Sequence, residues 1–123
     1  MRLLGGIVAM AIVGALACST PSGNGKGCDS TGASSVIDAR DNQSFSNTSV
    51  TISKGQKVCW QNVGTITHTI TADPTPDDST WNANNVNQTL TPDFVVLLSF
   101  GTVGNFPYHC FFHSGMRGVI SVR

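Results

Sequence analysis

From Val36 onward, apolar side chains recur at alternate positions in short runs, and Gly, Asn, Asp, Ser or Pro punctuate the gaps. A period of two sends successive side chains to opposite faces of an extended chain, which is the mark of half-buried strands. The pattern predicts strands over Val36–Ala39, Phe45–Ile52, Lys57–Val63, His68 to Ala72, Gln88–Leu90, Phe94–Phe100, Asn105–Cys110 and Met116–Val122. Lys54-Gly55-Gln56 and Gly101-Thr102-Val103-Gly104 read as turns, and Gly64 breaks the chain ahead of the His68 strand. The stretch Asp73–Val86 holds two Pro, three Asp and three Asn, so it reads as a long polar loop with Trp81 as its hydrophobic plug. No helical periodicity of useful length follows Val36. About eight short strands imply an all-β, antiparallel Greek-key sandwich or flattened barrel. Pro107 removes a ladder donor and is expected at a strand edge or a non-hydrogen-bonding position.

The front of the chain lacks this alternation. Met1-Arg2 is a short positive start, and Leu3 to Ala17 is an uncharged run of small and aliphatic residues. That run is too short to span a bilayer and reads as an export signal over residues 1–17. Ala15-Leu16-Ala17-Cys18 fits an Ala-x-Ala cleavage site and also resembles a bacterial lipobox, in which Cys18 becomes the lipidated first residue. Ala15 departs from the usual Leu, but the placement of Cys18 and the segment after it favour the lipoprotein. Residues 18–34, rich in Gly and Ser, cannot build a core and read as a flexible tether. One domain, residues 35–123, remains. The expected location is the periplasmic or cell-surface face of a bacterial membrane, with a lipid anchor at Cys18.

Charge changes the picture little. Seven basic residues face seven acidic ones, and loss of Arg2 with the signal leaves a formal excess of one negative charge. There is no Glu, no basic cluster and no aromatic-basic interleaving, so nucleic acid is not a credible partner.

Candidate chemistry is concentrated in Tyr108-His109-Cys110-Phe111-Phe112-His113-Ser114-Gly115-Met116-Arg117-Gly118. A thiol, an imidazole and a thioether stand at Cys110, His113 and Met116. Taken singly, a Cys or a Met is a core filler and a His is a hydrogen-bonded side chain. Together they suit one copper ion cycling between Cu(I) and Cu(II), since His2Cys with a weak axial Met is the blue-copper electron-transfer set. The second imidazole must be His68 or His109. His109 adjoins Cys110 and points to the opposite face of a strand, whereas His68 lies in Thr65-Ile66-Thr67-His68-Thr69-Ile70-Thr71, a β-branched run able to present it from a neighbouring strand. Thr69, through its amide or its hydroxyl, is a candidate donor to the Cys110 sulfur.

At these residues the chain resembles a known family. Tyr108-His109-Cys110-x-x-His113-x-x-Met116-Arg117-Gly118 looks like the copper loop of amicyanin, within the plastocyanin-like cupredoxins, the type 1 blue copper proteins. Gly55-x-x-Val58-x-Trp60-x-Asn62 followed by His68-Thr69-Ile70 looks like that family's strand carrying the first His ligand. The two-residue gap between His113 and Met116 is the short, amicyanin-type spacing. Thr69 stands where many members have Asn, Phe111-Phe112 replace a Thr-Pro-like pair, and Cys59 stands where Thr is common. The resemblance implies a cupredoxin-like fold and a monomer that docks transiently with redox protein donors and acceptors. It also implies that His113 is the electron port, with Gly64, Ile66, Phe112 and Gly115 as a small docking patch around it.

With Cys18 assigned to lipid and Cys110 to copper, Cys28 and Cys59 are left, and an exported protein can pair them. Val58 and Trp60 share the core face, so Cys59 points outward and can meet Cys28 where the tether crosses the sheet. Rival readings weaken on residue counts. Copper oxidases and nitrite reductases need further His-rich centres, and this chain has three His in all. A binuclear copper site needs a second Cys where Ser114 stands. A periplasmic copper carrier or storage protein favours exposed Met and Cys pairs, and after the signal the only Met is Met116.

Overall fold

A computed structural model describes residues 27–123, and the alternating runs in it pair as nine strands. The export signal, the lipidation at Cys18 and the tether as far as residue 26 lie outside the described residues. The strands are β1 (Ser35–Arg40), β2 (Ser44–Phe45), β3 (Ser49–Ile52), β4 (Lys57–Asn62), β5 (His68–Ala72), β6 (Asn87–Leu90), β7 (Val95–Ser99), β8 (Gly104–His109) and β9 (Arg117–Val122). They form two sheets, ordered β2-β1-β4-β7 and β3-β9-β8-β5-β6, packed as a sandwich of the Greek-key class.

Two features depart from the expectation of uniform antiparallel strands. The run Phe45–Ile52 is divided between the sheets, with Phe45 ending β2 in one and Val50 and Ile52 in β3 of the other. Phe45 and Val50 are an odd number of residues apart, so in one straight strand they would face opposite ways. The chain resolves this by turning between them. Ser46 N–H donates to the Asp38 carbonyl and Ser49 N–H to Asn47 Oδ1, and all three apolar residues are buried. Because the chain leaves the first sheet and then returns to it, β4 lies parallel to β1, and β3 lies parallel to β9.

The core is built on aromatic edges. Tyr108 lies between Phe45 and Trp60, with ring centroids 5.1 and 5.2 Å away and edge-to-face geometry. Gly118 lies against this ring so closely that any Cβ there would collide with it. Trp81 does plug its loop. It packs on Phe100 and Phe106, and its indole N–H donates to the Pro107 carbonyl at 2.7 Å. Pro107 is tolerated inside β8 because its register partner Val119 turns its N–H to the Thr48 carbonyl and not to β8, and the pairing of β5 with β8 covers only Tyr108 and His109, so no ladder donor is required at Pro107.

The strand β4 is buried on both faces from Val58 to Asn62. Val58 and Trp60 face the core, as their alternation requires. Cys59 faces the other way, yet it is not solvent-exposed, because residues 27–34 lie over it and Cys28 is bonded to it. Residues 27–34, which composition assigns to the tether, are therefore packed on the domain. Ser34 N–H donates to the Lys57 carbonyl, and Cys28 N–H to Gln61 Oε1. The disulfide closes a loop with a sequence separation of 31, worth about 3.7 kcal/mol in the chain-entropy picture. Replacing both cysteines, Cys28→Ala with Cys59→Ala, is expected to lower unfolding free energy by about that amount. Denaturant melts of the two proteins check it, and equal midpoints would show that the bridge contributes nothing.

Candidate metal centre

Three side chains meet at one end of the sandwich, below the loops that follow β4, β6 and β8. His68 opens β5, Cys110 follows β8 directly, and His113 lies in the loop leading to β9. His68 Nδ1 and His113 Nδ1 are 3.3 Å apart, Cys110 Sγ is 3.3 Å from His113 Nδ1, and it is 3.8 Å from His68 Nδ1. His68 and Cys110 are buried and His113 is half-exposed. The fourth expected donor, Met116, is 1% exposed and closes the same loop.

The Cys-x2-His-x2-Met spacing has a backbone cause. His113 N–H reaches back to the Cys110 carbonyl and Met116 N–H to the His113 carbonyl, so two consecutive β-turns share His113. Cys110 N–H then donates to the Met116 carbonyl at 2.9 Å, which ties the two ends of the loop together. Gly115 has φ +89°, a conformation other residues adopt only with strain. Thus each candidate donor stands at a corner of one short double turn.

Neighbouring residues fix the loop from below. Of the two donors that Thr69 offers, the amide is the one that points at Cys110 Sγ, at 3.4 Å. Its hydroxyl instead accepts the Phe111 N–H at 2.8 Å and bonds Thr71 Oγ1, which donates to Asn87 Oδ1. This chain of hydrogen bonds links the loop to β5 and β6. Asn62 does the same for the loop carrying His68: its Nδ2 donates to the Ile66 and Leu90 carbonyls, and its Oδ1 accepts the Gly64 N–H. Asp41 completes the clamp. Its Oδ1 accepts the Thr65 and Ile66 amides, and Gly64 approaches its carboxylate so closely that a Cβ would collide. Asp41, Thr71 and Asn87 do not stand out in the sequence, since Asp and Asn in loops are common and their partners are far away along the chain.

The donor set passes a test of fit for a metal ion. Trigonal coordination with metal–nitrogen bonds of about 2.0–2.1 Å and a metal–sulfur bond of about 2.3 Å needs donors roughly 3.5–3.8 Å apart. The observed separations of 3.3–3.8 Å come close to that triangle. Burial, then the charge of His113, hold His68 below the usual imidazole range, partly opposed by Asp41 and the Arg40 carbonyl. The neutral ring is the form that binds metals. His68 Nε2 is buried without a well-aligned hydrogen bond, so the ring is held mainly by packing. His109 points to the other face of β8, where its Nδ1 lies 2.7 Å from Asp73 Oδ1, and it takes no part in the cluster. Above the site, Phe111 and Phe112 are exposed and stack edge-to-face, Gly115 is exposed, and Gly64 and Ile66 are partly exposed.

Comparison with known proteins is consistent with this geometry. The family model described as copper binding proteins, plastocyanin/azurin family, matches residues 33–123. Among solved structures, a purple cupredoxin from Nitrosopumilus maritimus is 21% identical, with 72% of this chain and 99% of that chain covered at a TM-score of 0.62. A reduced Trp-to-Tyr mutant of amicyanin is 20% identical, with 75% and 83% covered at a TM-score of 0.63. A reduced Pro-to-Phe mutant of amicyanin is 22% identical, with 76% and 84% covered at a TM-score of 0.61. At such identities these likenesses speak to the fold. No curated protein matches the chain.

The Asp41 clamp has a pH signature. The Thr65 and Ile66 amides hold the Asp41 carboxyl below its ordinary value of 3.8. A carboxylate with a lowered folded value contributes stability that is fully present above the unfolded value and is lost as pH falls through the folded one. The Thr65 amide resonance should therefore titrate with a midpoint below 3.8, and Asp41→Asn should abolish that titration. A midpoint at or above 3.8 in an NMR pH series would remove Asp41 from this role.

Proposed function

The chain belongs to the plastocyanin/azurin family of copper-binding proteins, and on that premise we propose that it carries single electrons between redox partners outside the cytoplasm. The observation that carries this reading is the triangle of His68 Nδ1, Cys110 Sγ and His113 Nδ1, 3.3–3.8 Å on a side. His68 and His113 would hold the ion through Nδ1, Cys110 as thiolate and Met116 through its thioether. Copper so bound supplies one-electron chemistry between Cu(I) and Cu(II).

What the protein contributes is constraint. His68 and Cys110 sit on strands whose places are set by the core, and the loop is pinned through Thr69, Thr71 and Asn87. A donor set held in this way changes little between oxidation states, and small rearrangement favours rapid transfer. The Thr69 N–H withdraws electron density from the Cys110 sulfur and helps set the potential. Burial of Cys110 and Met116 keeps water and other reagents away, leaving the half-exposed His113 as the port. Phe112, Gly115, Ile66 and Gly64 form the docking patch around it. Brief encounters between redox proteins use small surfaces of this kind.

The same burial disfavours the carrier or storage alternative, since donors with 1–2% exposure are poorly placed to hand a metal ion to another protein. Export is supported by the Cys28–Cys59 bridge, which belongs to an oxidising compartment. We read Cys18 as the lipid-bearing residue that holds the domain to the membrane.

Copper-loaded protein should be intensely coloured through its thiolate–Cu(II) bond, and Cys110→Ser should lose the colour while keeping the melting behaviour of a folded sandwich. Colour retained in the Ser variant would exclude Cys110 as the ligand. A second substitution tests the port. Phe112→Asp places a carboxylate on an apolar contact without touching a donor, and should slow electron self-exchange by about tenfold, or ~1.4 kcal/mol, with little change in the spectrum. Self-exchange is the measurement because it needs no natural partner, and an unchanged rate would place the port elsewhere.

A further inference from the structure

One side of the sandwich ends in an open strand. β7 closes the sheet β2-β1-β4-β7 and pairs only with β4. Asn62 N–H donates to the Phe94 carbonyl and Phe100 N–H to the Gln56 carbonyl, which sets the phase of that ladder. In an antiparallel pair every second residue bonds across, and the residues between turn their backbone groups away. Val96 and Leu98 therefore bond to β4. The N–H and C=O groups of Val95, Leu97 and Ser99 point outward and find no partner among the described residues.

Edge strands are ordinarily blunted by shortness, by charge or by Pro, because a bare edge is a template for another strand. β2 is only two residues long, and β6 is the polar run Asn-Gln-Thr-Leu. β7 has neither protection: it is Val-Val-Leu-Leu-Ser, five residues without charge, Pro or Gly, and Leu97 is 39% exposed on its outer face. The charges that flank it differ in sign. Asp93 precedes the strand at one end, whereas Lys57 pairs with Ser99 at the other, next to the turn that carries Lys54. All three are exposed and form no ion pair among the described residues, unlike Arg40 and Arg117, which Asp38 and Asp73 hold. Asp78, the other acid near Gly101, lines the cavity over Trp81 and Phe106 on the inner side of the strand.

From these observations we infer that the protein forms a two-fold symmetric dimer in which β7 pairs antiparallel with β7 of a second copy, about an axis at Leu97. A strand with a negative start and a positive far side is complementary to itself when reversed, which is why a second copy fits this edge. Leu97 meets its own counterpart, Val95 meets Ser99, and Asp93 is carried to Gly101, with Lys57 and the Lys54 turn on the strand behind it. The outward backbone groups of both copies bond to one another, and the two four-stranded sheets join edge to edge. Because the paired strands run oppositely, the metal centres lie at opposite ends of the dimer, and the docking patch around each His113 stays open. This dimer replaces the monomer that the family resemblance implies, and it does not depend on the electron-transfer reading.

Sedimentation and hydrogen exchange test it on the full chain. The interface is small, so the protein should be largely monomeric at about 10 μM and largely dimeric toward about 1 mM. Over that range the Val95, Leu97 and Ser99 amides should become protected from exchange. Leu97→Pro removes an outward donor without touching the β4 ladder, and Leu97→Lys sets like charges opposite each other at the axis. Each should weaken dimerisation roughly tenfold or more, while Thr51→Lys, on the β3 edge at the other side of the sandwich, should leave it unchanged. The near-ultraviolet dichroism of the buried Trp60 and Tyr108 checks that each variant is folded. Protein still monomeric at the higher concentration overturns the inference, and so does a dimer that survives both Leu97 substitutions. Amides of Val95, Leu97 and Ser99 protected equally at both concentrations overturn it too, since another segment of the same chain then covers the edge.

Discussion

Everything in this fold answers to one constraint: two imidazole nitrogens and a sulfur are held within 3.8 Å of one another in a place largely closed to water. Lone pairs that converge repel one another unless a proton or a cation lies between them. A chain free to relax would separate them. They stay together because each is carried by an element fixed for other reasons. His68 begins a fully buried strand, and Cys110 follows a strand whose Tyr108 is locked between Phe45 and Trp60. His113 is the shared corner of two turns.

The division of labour between the two sheets follows from this. The sheet β3-β9-β8-β5-β6 carries all three clustered donors or leads directly into them. The other sheet supplies the opposing wall of the core through Ile37, Trp60 and Val96, and through Asn62 it steadies the loop that delivers His68. The bridge between Cys28 and Cys59 strengthens that second sheet from outside, where residues 27–34 act as a partial third layer. A domain with fewer than a hundred described residues buries a limited core, so a covalent staple of a few kcal/mol is a sizeable share of its stability.

Polar order beneath the metal loop serves the same end as packing. The run from the Phe111 amide through Thr69 and Thr71 to Asn87 satisfies groups that burial would otherwise leave unpaired. It also holds the loop through directional bonds, which tolerate less displacement than apolar contact. That the Thr69 hydroxyl is used in this way explains why the sulfur receives the backbone amide instead: an amide is fixed by the strand and cannot rotate away.

The clustering of His68, Cys110 and His113 and the places of most strands were legible in the sequence by itself, because the signals for both are local. Alternation reports which face of a strand is buried, and the spacing of Cys110, His113 and Met116 is the spacing of two successive turns. The choice of His68 over His109 was also legible, since neighbours in a strand point opposite ways. Only the tertiary structure decided the rest. That Phe45 and Val50 belong to different sheets depends on where the chain crosses the core, although their odd separation was a sign of it. That residues 27–34 lie on the domain was hidden by their Gly and Ser composition, because one covalent bond and two hydrogen bonds, not buried apolar surface, hold them. The roles of Asp41, Thr71 and Asn87 were invisible for a related reason. A hydrogen bond between residues 24 or 16 positions apart leaves no period in the sequence, and it exists only once the sheets have brought its partners together.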